Sequence, residues 1–202
     1  MRSKVLRCSA PGVLTCPTLG APATGRQGHR GGAVSDTGRH TLVRMSEERA
    51  VAAVEAAGLE YAVTRHGRVG SLEEAARARG VEPRDIVKTL VVRRGEGDHL
   101  FVLVPGDREI SWPKLRALLG VNRLSMPDAA TARDATGYER GTITPFGSAT
   151  AWPVVADASL VGDPDRRVSL GAGAHGVAVT VPAEAALEAL DAQVAEVTDV
   201  SG

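Results

Sequence analysis

Apolar positions cluster most densely in Ile86-Val87-Lys88-Thr89-Leu90-Val91-Val92 and, beyond Arg93–Asp98, in His99-Leu100-Phe101-Val102-Leu103-Val104. Short β-branched runs closed by glycine predict a hairpin of two buried strands. Side chains alternate across a strand, so Ile86, Lys88, Leu90 and Val92 share one face and Val87, Thr89 and Val91 the other. Around the hairpin, Leu59–Thr64, Val121–Ser125, Trp152–Ala156, Arg166–Leu170 and Val177–Val181 read as further strands, with a last one expected within Ala192–Val200. Helical spacing with cap signals predicts helices over Glu47–Ala57 (Ser46 as cap, Gly58 as stop), from Ser71 to Gly80, over Trp112–Leu119, Pro127–Asp134 and Ala183–Leu190. Strands outnumber helices and are joined by both hairpins and helical excursions. This is an α+β pattern with a mixed, curved or barrel-like sheet surrounded by helices.

Lys88 breaks the apolar face of its strand, where an ammonium is costly unless something polar meets it. It is one of only three lysines, with Lys4 and Lys114, in a chain that otherwise uses arginine. A compact point charge is therefore wanted here rather than a planar fork. A lysine snorkelling from an edge strand is the plainer alternative.

Composition narrows the class. A chain of 202 residues with 43% hydrophobic and 24% charged residues is that of one globular domain, and no apolar run is long enough to cross a bilayer. Its zero net charge hides an asymmetry: residues 1–44 hold seven basic side chains against one acid, leaving the remainder at −6. An acidic body argues against broad adhesion to DNA or RNA, though not against a local basic mouth for one end of an RNA. Residues 1–44, rich in Gly, Pro, Thr and Arg, predict a disordered leader or translation begun ahead of a true start at Met45, with the folded domain over 45–202. Both cysteines, Cys8 and Cys16, fall in that leader, and the five histidines never take a metal-ligand spacing. Neither a metal site nor a cofactor is expected.

The second informative stretch is Gly137-Tyr138-Glu139-Arg140-Gly141-Thr142-Ile143-Thr144-Pro145-Phe146-Gly147. Three glycines and a proline exclude an ordinary helix or central strand. Glycine at 141 lets the backbone approach a ligand and present N–H groups to it. From composition alone, an elaborate connection between strands is the simpler reading. Asp157 follows an apolar strand, where a carboxylate can face a pocket mouth, and His66 lies between strand and turn as a candidate lining residue.

Taken in order, Lys88–Val92, Val104-Pro105-Gly106-Asp107, Gly137-Tyr138 with Gly141–Gly147, Val154–Asp157, and Val168-Ser169 before Gly173 and Gly176 resemble one family. It is the YbaK/EbsC, or prolyl-tRNA-synthetase-associated, aminoacyl-tRNA deacylase family, and the resemblance spans Met45 to Asp199. It implies trans-editing in the cytoplasm: hydrolysis of the ester joining a wrong amino acid to the 3′ end of a tRNA, typically a proline tRNA carrying cysteine or alanine. An aminoacyl-tRNA synthetase is the further partner implied. Carried over position by position, it gives Lys88 the key role with Thr89 beside it, contacts to the aminoacyl-adenosine from Gly137, Gly141, Ile143, Thr144 and Pro145, and an acid at Asp157. Tyr138, Thr142, Gly147, Gly173, Gly176 and His66 complete the expected substrate side. The chain departs from the family at Thr142, Thr144, Ala174-His175 and Thr64. A non-catalytic module that holds a tRNA end or docks on a synthetase is the alternative.

Overall fold

The computed structural model describes residues 36–201, with side chains from Arg44 onward. The expected disorder of the leader lies outside the described residues up to position 35. From there α1 runs Asp36–Ala56, so Ser46 sits inside a helix rather than capping one. No proline interrupts residues 36–57, and the helix stops where expected: Gly58 takes a left-handed φ of 69°.

The hairpin expected from the two apolar runs is the centre of the fold. Strands β2 (Val87–Gly95) and β3 (Asp98–Pro105) pair antiparallel through the Glu96-Gly97 turn. Strand β3 is buried on both faces, and its alternation divides the core. Phe101 and Leu103 join one cluster with Val87, Val91, Ala156 and Leu170. Leu100, Val102 and Val104 join another with Val92, Leu115 and Val197. Beyond β3 the sheet turns parallel, adding β5 (Val154–Asp157) and then β8 (Gln193–Ala195). A second sheet orders β1 (Ala62–Arg65), β7 (Val177–Pro182) and β6 (Arg167–Gly171), all antiparallel. β4 (Arg108–Ile110) pairs with β9 (Thr198–Val200) as a third.

The α+β class and the mixed sheet are as expected. The sheets do not close into a barrel: β2 and β6 share no ladder, and the chain just ahead of β2 meets β6 in one isolated bridge, Ile86 to Ser169. Helix α2 (Leu72–Arg79) is capped by Ser71, whose hydroxyl accepts from the Glu74 amide at 3.2 Å, while Glu74 reaches back to the Gly70 amide. Helices α3 (Trp112–Leu119) and α5 (Ala183–Ala189) lie where expected. Two readings need correction. Helix α4 spans Ala129–Thr136, because the Asp128 carboxylate takes the Thr131 amide and starts the helix two residues late. Val121–Ser125 is not a strand; only Ser125 bridges to Arg93.

Candidate functional site

Strand β2 forms one wall of a cavity of about 530 Å³. Across it lie Gly141 and Ile143 of the 137–147 loop, with Gly171 of β6, Arg79 at the end of α2, and Met126 to Ala129 entering α4. Lys88 and the glycine loop are distant in sequence and meet here.

Lys88 sits in the row with Leu90 and Val92, half-buried, and its cost is met by backbone. Its Nζ donates to the Gly106 carbonyl at 3.0 Å and the Arg108 carbonyl at 2.5 Å. Among the described residues two of the three ammonium protons are thus used and one donor is left over. Desolvation holds the Lys88 pKa below its ordinary value, partly opposed by the Glu109 and Asp107 carboxylates. Beside it Thr89 faces the other way, its buried Oγ1 without a hydrogen-bond partner among the described residues.

Gly141 adopts φ 88°, and a Cβ there would meet nothing nearer than His175 Cε1 at 3.6 Å. Its backbone is open on the cavity side. Among the described residues the Gly141 and Ile143 amides donate to no backbone carbonyl, whereas the Thr142 amide folds back on Glu139 at 3.0 Å.

The other expected contacts are brought near the loop without reaching the cavity. Tyr138 is fully buried, its hydroxyl donating to the Phe146 carbonyl at 2.8 Å. Thr142 donates to the Glu139 carbonyl, and Thr144 and Pro145 are buried beneath the loop. Gly137 is the left-handed cap of α4. Gly147, Gly173 and Gly176 are glycine because backbone presses on them: a Cβ would lie 2.5 Å from the Arg49 carbonyl, 2.4 Å from that of Ser46 and 2.3 Å from that of His66. These glycines seat α1 and β1 against the loop.

Asp157, expected at a pocket mouth, is 2% exposed and fully engaged within the protein. It accepts from the Ser159 amide and hydroxyl and the Val197 amide, and lies 3.6 Å from Arg108. Burial works against its ionised form, but the bonds from Ser159, Thr198 and Val197 prevail and keep the pKa low. It stands behind Lys88: the residue whose carbonyl holds the lysine, Arg108, has its guanidinium on Asp157. His66 does not line the cavity and meets it only through Arg79. Its Nδ1 lies 2.7 Å from the Gly67 carbonyl and its Nε2 takes the Arg79 Nε proton at 3.3 Å, turning Arg79 toward the cavity. Arg79, Met126 and Arg140 line the cavity without a sequence signal: a last-turn arginine reads as a helix-end charge, and the other two lie in irregular chain.

Against known proteins, residues 66–189 match the model of the aminoacyl-tRNA editing domain. The chain belongs to that family. This editing domain is 38% identical over 120 residues to the proline–tRNA ligase of Desulfovibrio desulfuricans, covering 59% of the chain but 20% of the ligase. It is 27% identical over 128 residues, 63% of the chain and 77% of the relative, to the Enterococcus faecalis protein EbsC, named for deacylation of Cys-tRNA(Pro) and Cys-tRNA(Cys). Among solved structures, one described as a trans-editing enzyme for prolyl tRNA synthetase superposes with a TM-score of 0.68 at 29% identity, over 76% of this chain and 97% of the other. The motif resemblance and the fold agree with these relatives. The chain spans only about a fifth or less of the ligases it matches first.

Proposed function

We propose that this editing domain is a trans-acting hydrolase that cleaves the ester between a mismatched amino acid and the 3′-terminal ribose of a tRNA. The observation that carries the reading is the shared cavity, lined both by Lys88, a partly desolvated lysine, and by the open backbone of Gly141. An aminoacyl ester is already activated, so placing a water and stabilising the oxyanion is sufficient chemistry. Water adds to the ester carbonyl; the tetrahedral intermediate collapses, and the ribose hydroxyl leaves with a proton. In this reading the Gly141 and Ile143 amides meet the oxyanion, each donor contributing ~2.7–4 kcal/mol by analogy with measured oxyanion-hole deletions. Lys88 orients the ester or its flanking phosphate, strengthened by the apolar residues around it. Arg79 and Arg140 supply charge to the terminal phosphates. Asp157 positions Lys88 through Arg108 instead of touching substrate.

The likeness to proline–tRNA ligases and to EbsC supports a proline tRNA carrying cysteine or alanine, and a synthetase as the source of that substrate. The small, largely aliphatic wall of Val87, Val91, Ala132 and Ile143 suits such side chains. The test is amino-acid release from a panel of mischarged tRNAs. Release of cysteine or alanine from proline tRNA, faster than release of proline, is expected. Binding without release from any member would replace this reading with the non-catalytic module.

A further inference from the structure

The body of the protein is acidic, with seventeen basic against twenty-three acidic residues over 45–202. Its two adjoining recesses reverse that balance. The Lys88 cavity sets Arg79, Lys88 and Arg140 against the single carboxylate of Asp128. A neighbouring recess of about 650 Å³ sets Arg93, Arg94 and Arg123 against Glu96. Six cations and two anions thus line the pair, with the Asp98 carboxylate beside Arg94 as a third anion at the edge.

The two recesses share one scaffold. Strand β2 walls the first with Val87–Val91, preceded by Ile86, and the second with Arg93–Gly95. On the facing chain Ser125 lines the second recess and Met126 the first. Reciprocal backbone bonds between Arg93 and Ser125, 2.8 and 3.2 Å, lock the ridge between them. On that ridge Met126 is 53% exposed, an apolar thioether left in water. Arg94 is held by Asp98 at 2.8 Å and Arg93 by the Ser125 hydroxyl at 3.3 Å, so both guanidinium groups are pre-placed at the surface. Arg123 has no ion pair among the described residues.

We infer that the Arg93, Arg94 and Arg123 recess grips the sugar-phosphate backbone of the tRNA acceptor arm, while the terminal ribose enters the Lys88 cavity and the unpaired bases cross Met126. This rests on the proposed hydrolysis and adds where the rest of the RNA lies. An acidic body repels phosphates within a Debye length of ~8–10 Å, so RNA is confined to the face with a local positive excess. Guanidinium groups match phosphate bidentately, and a polarisable sulfur suits the face of a base. Lengths agree as well. Lys88 to Arg93 is five strand residues, about 16 Å at ~3.3 Å each, and a few unpaired nucleotides stacked at about 3.4 Å each cover a similar span.

The test compares wild type with the Arg93→Ala/Arg123→Ala double variant on two substrates: full-length aminoacyl-tRNA, and the same amino acid on a CCA trinucleotide. Expected is a loss of tenfold or more in kcat/KM on the tRNA and none on the trinucleotide. The fall of log kcat/KM with log salt should also become shallower by about 1–2, since each lost phosphate contact removes ~0.9. Equal loss on both substrates, or no loss on either, overturns the proposal. Binding of uncharged tRNA at low salt decides it independently of catalysis: the double variant should weaken binding and Glu96→Lys strengthen it. If wild type releases no amino acid from any substrate, the hydrolysis reading fails, and this binding measurement still settles the surface.

Discussion

Arg49 of α1 donates to the Gly137 carbonyl at 3.1 Å and holds its guanidinium carbon 4.5 Å from the centre of the Tyr138 ring. One side chain thus grips both residues that open the 137–147 loop, from a helix outside the matched family span of 66–189. A surface cation–π contact contributes ~0.5–1 kcal/mol and a hydrogen bond to a carbonyl about 1 kcal/mol. Arg49→Ala should therefore lower stability by about 1–2 kcal/mol in urea melts, and reduce kcat more than KM. Arg49→Lys, which keeps the charge, should recover part of the loss. Unchanged kcat in Arg49→Ala would show that the loop holds its shape without the clamp.

Lys88→Met should abolish amino-acid release while the protein stays folded, because only two carbonyl bonds at a half-buried position are lost. The desolvated lysine also has a pH signature. Its folded pKa lies below the ordinary 10.5, so the charged form is penalised in the native state. That penalty is complete below the folded pKa and is relieved as pH rises from there toward 10.5. Wild type should accordingly gain stability relative to Lys88→Met across that alkaline window in paired thermal melts. A constant difference would mean that the lysine is not desolvated.

For Asp157 the sign is reversed. Its folded pKa is depressed, so its contribution is present above the unfolded value of about 3.9 and is lost as pH falls through the folded value. Asp157→Ala should cost about 3–5 kcal/mol at pH 7, as for one partner removed from a buried charged pair. Asp157→Asn should cost less, and its deficit should shrink below pH 4. A deficit undiminished in acid would show that hydrogen bonding alone, without charge, holds this corner.

The glycines of the loop should separate by substitution. Gly141→Ala incurs left-handed strain of ~1–2 kcal/mol with open space around the new methyl, so it should fold and show reduced kcat. Gly147→Ala and Gly173→Ala add a backbone collision, bringing overpacking of ~1–3 kcal/mol on top of the strain. Both should melt markedly earlier than wild type. Similar melting of all three variants would contradict the packing described for α1.

The hairpin and α2 were legible because local rules decide them: two dense apolar runs closed by Gly97, and a Ser71 cap with Glu74 nearby. The site was legible in part. Lys88 was conspicuous as a charge in an apolar row, and Gly141 as one of three glycines in a short loop, where it takes the positive-φ corner of the turn closed by the Thr142 amide on the Glu139 carbonyl. What a loop glycine approaches is a long-range fact, so Gly147 and Gly173 read as ligand contacts when they in fact receive the α1 backbone. Asp157 misled for a related reason, since a strand-end carboxylate looks the same in sequence whether it faces a pocket or caps a buried turn. Strand β4 and the split of the tail into β8 and β9 rest on pairings with distant chain, which three-residue segments do not announce.

The pairing of β4 with β9 also sets an order of assembly. The carbonyl of Arg108 that steadies Lys88 belongs to a strand whose partner is Thr198–Val200, and the amide that completes Asp157 comes from Val197. A chain still emerging from the ribosome has its β2–β3 hairpin long before it has either of these. Lys88 is therefore set in place only once Thr198–Val200 has been made and has paired with β4, about a hundred residues after its own strand is complete.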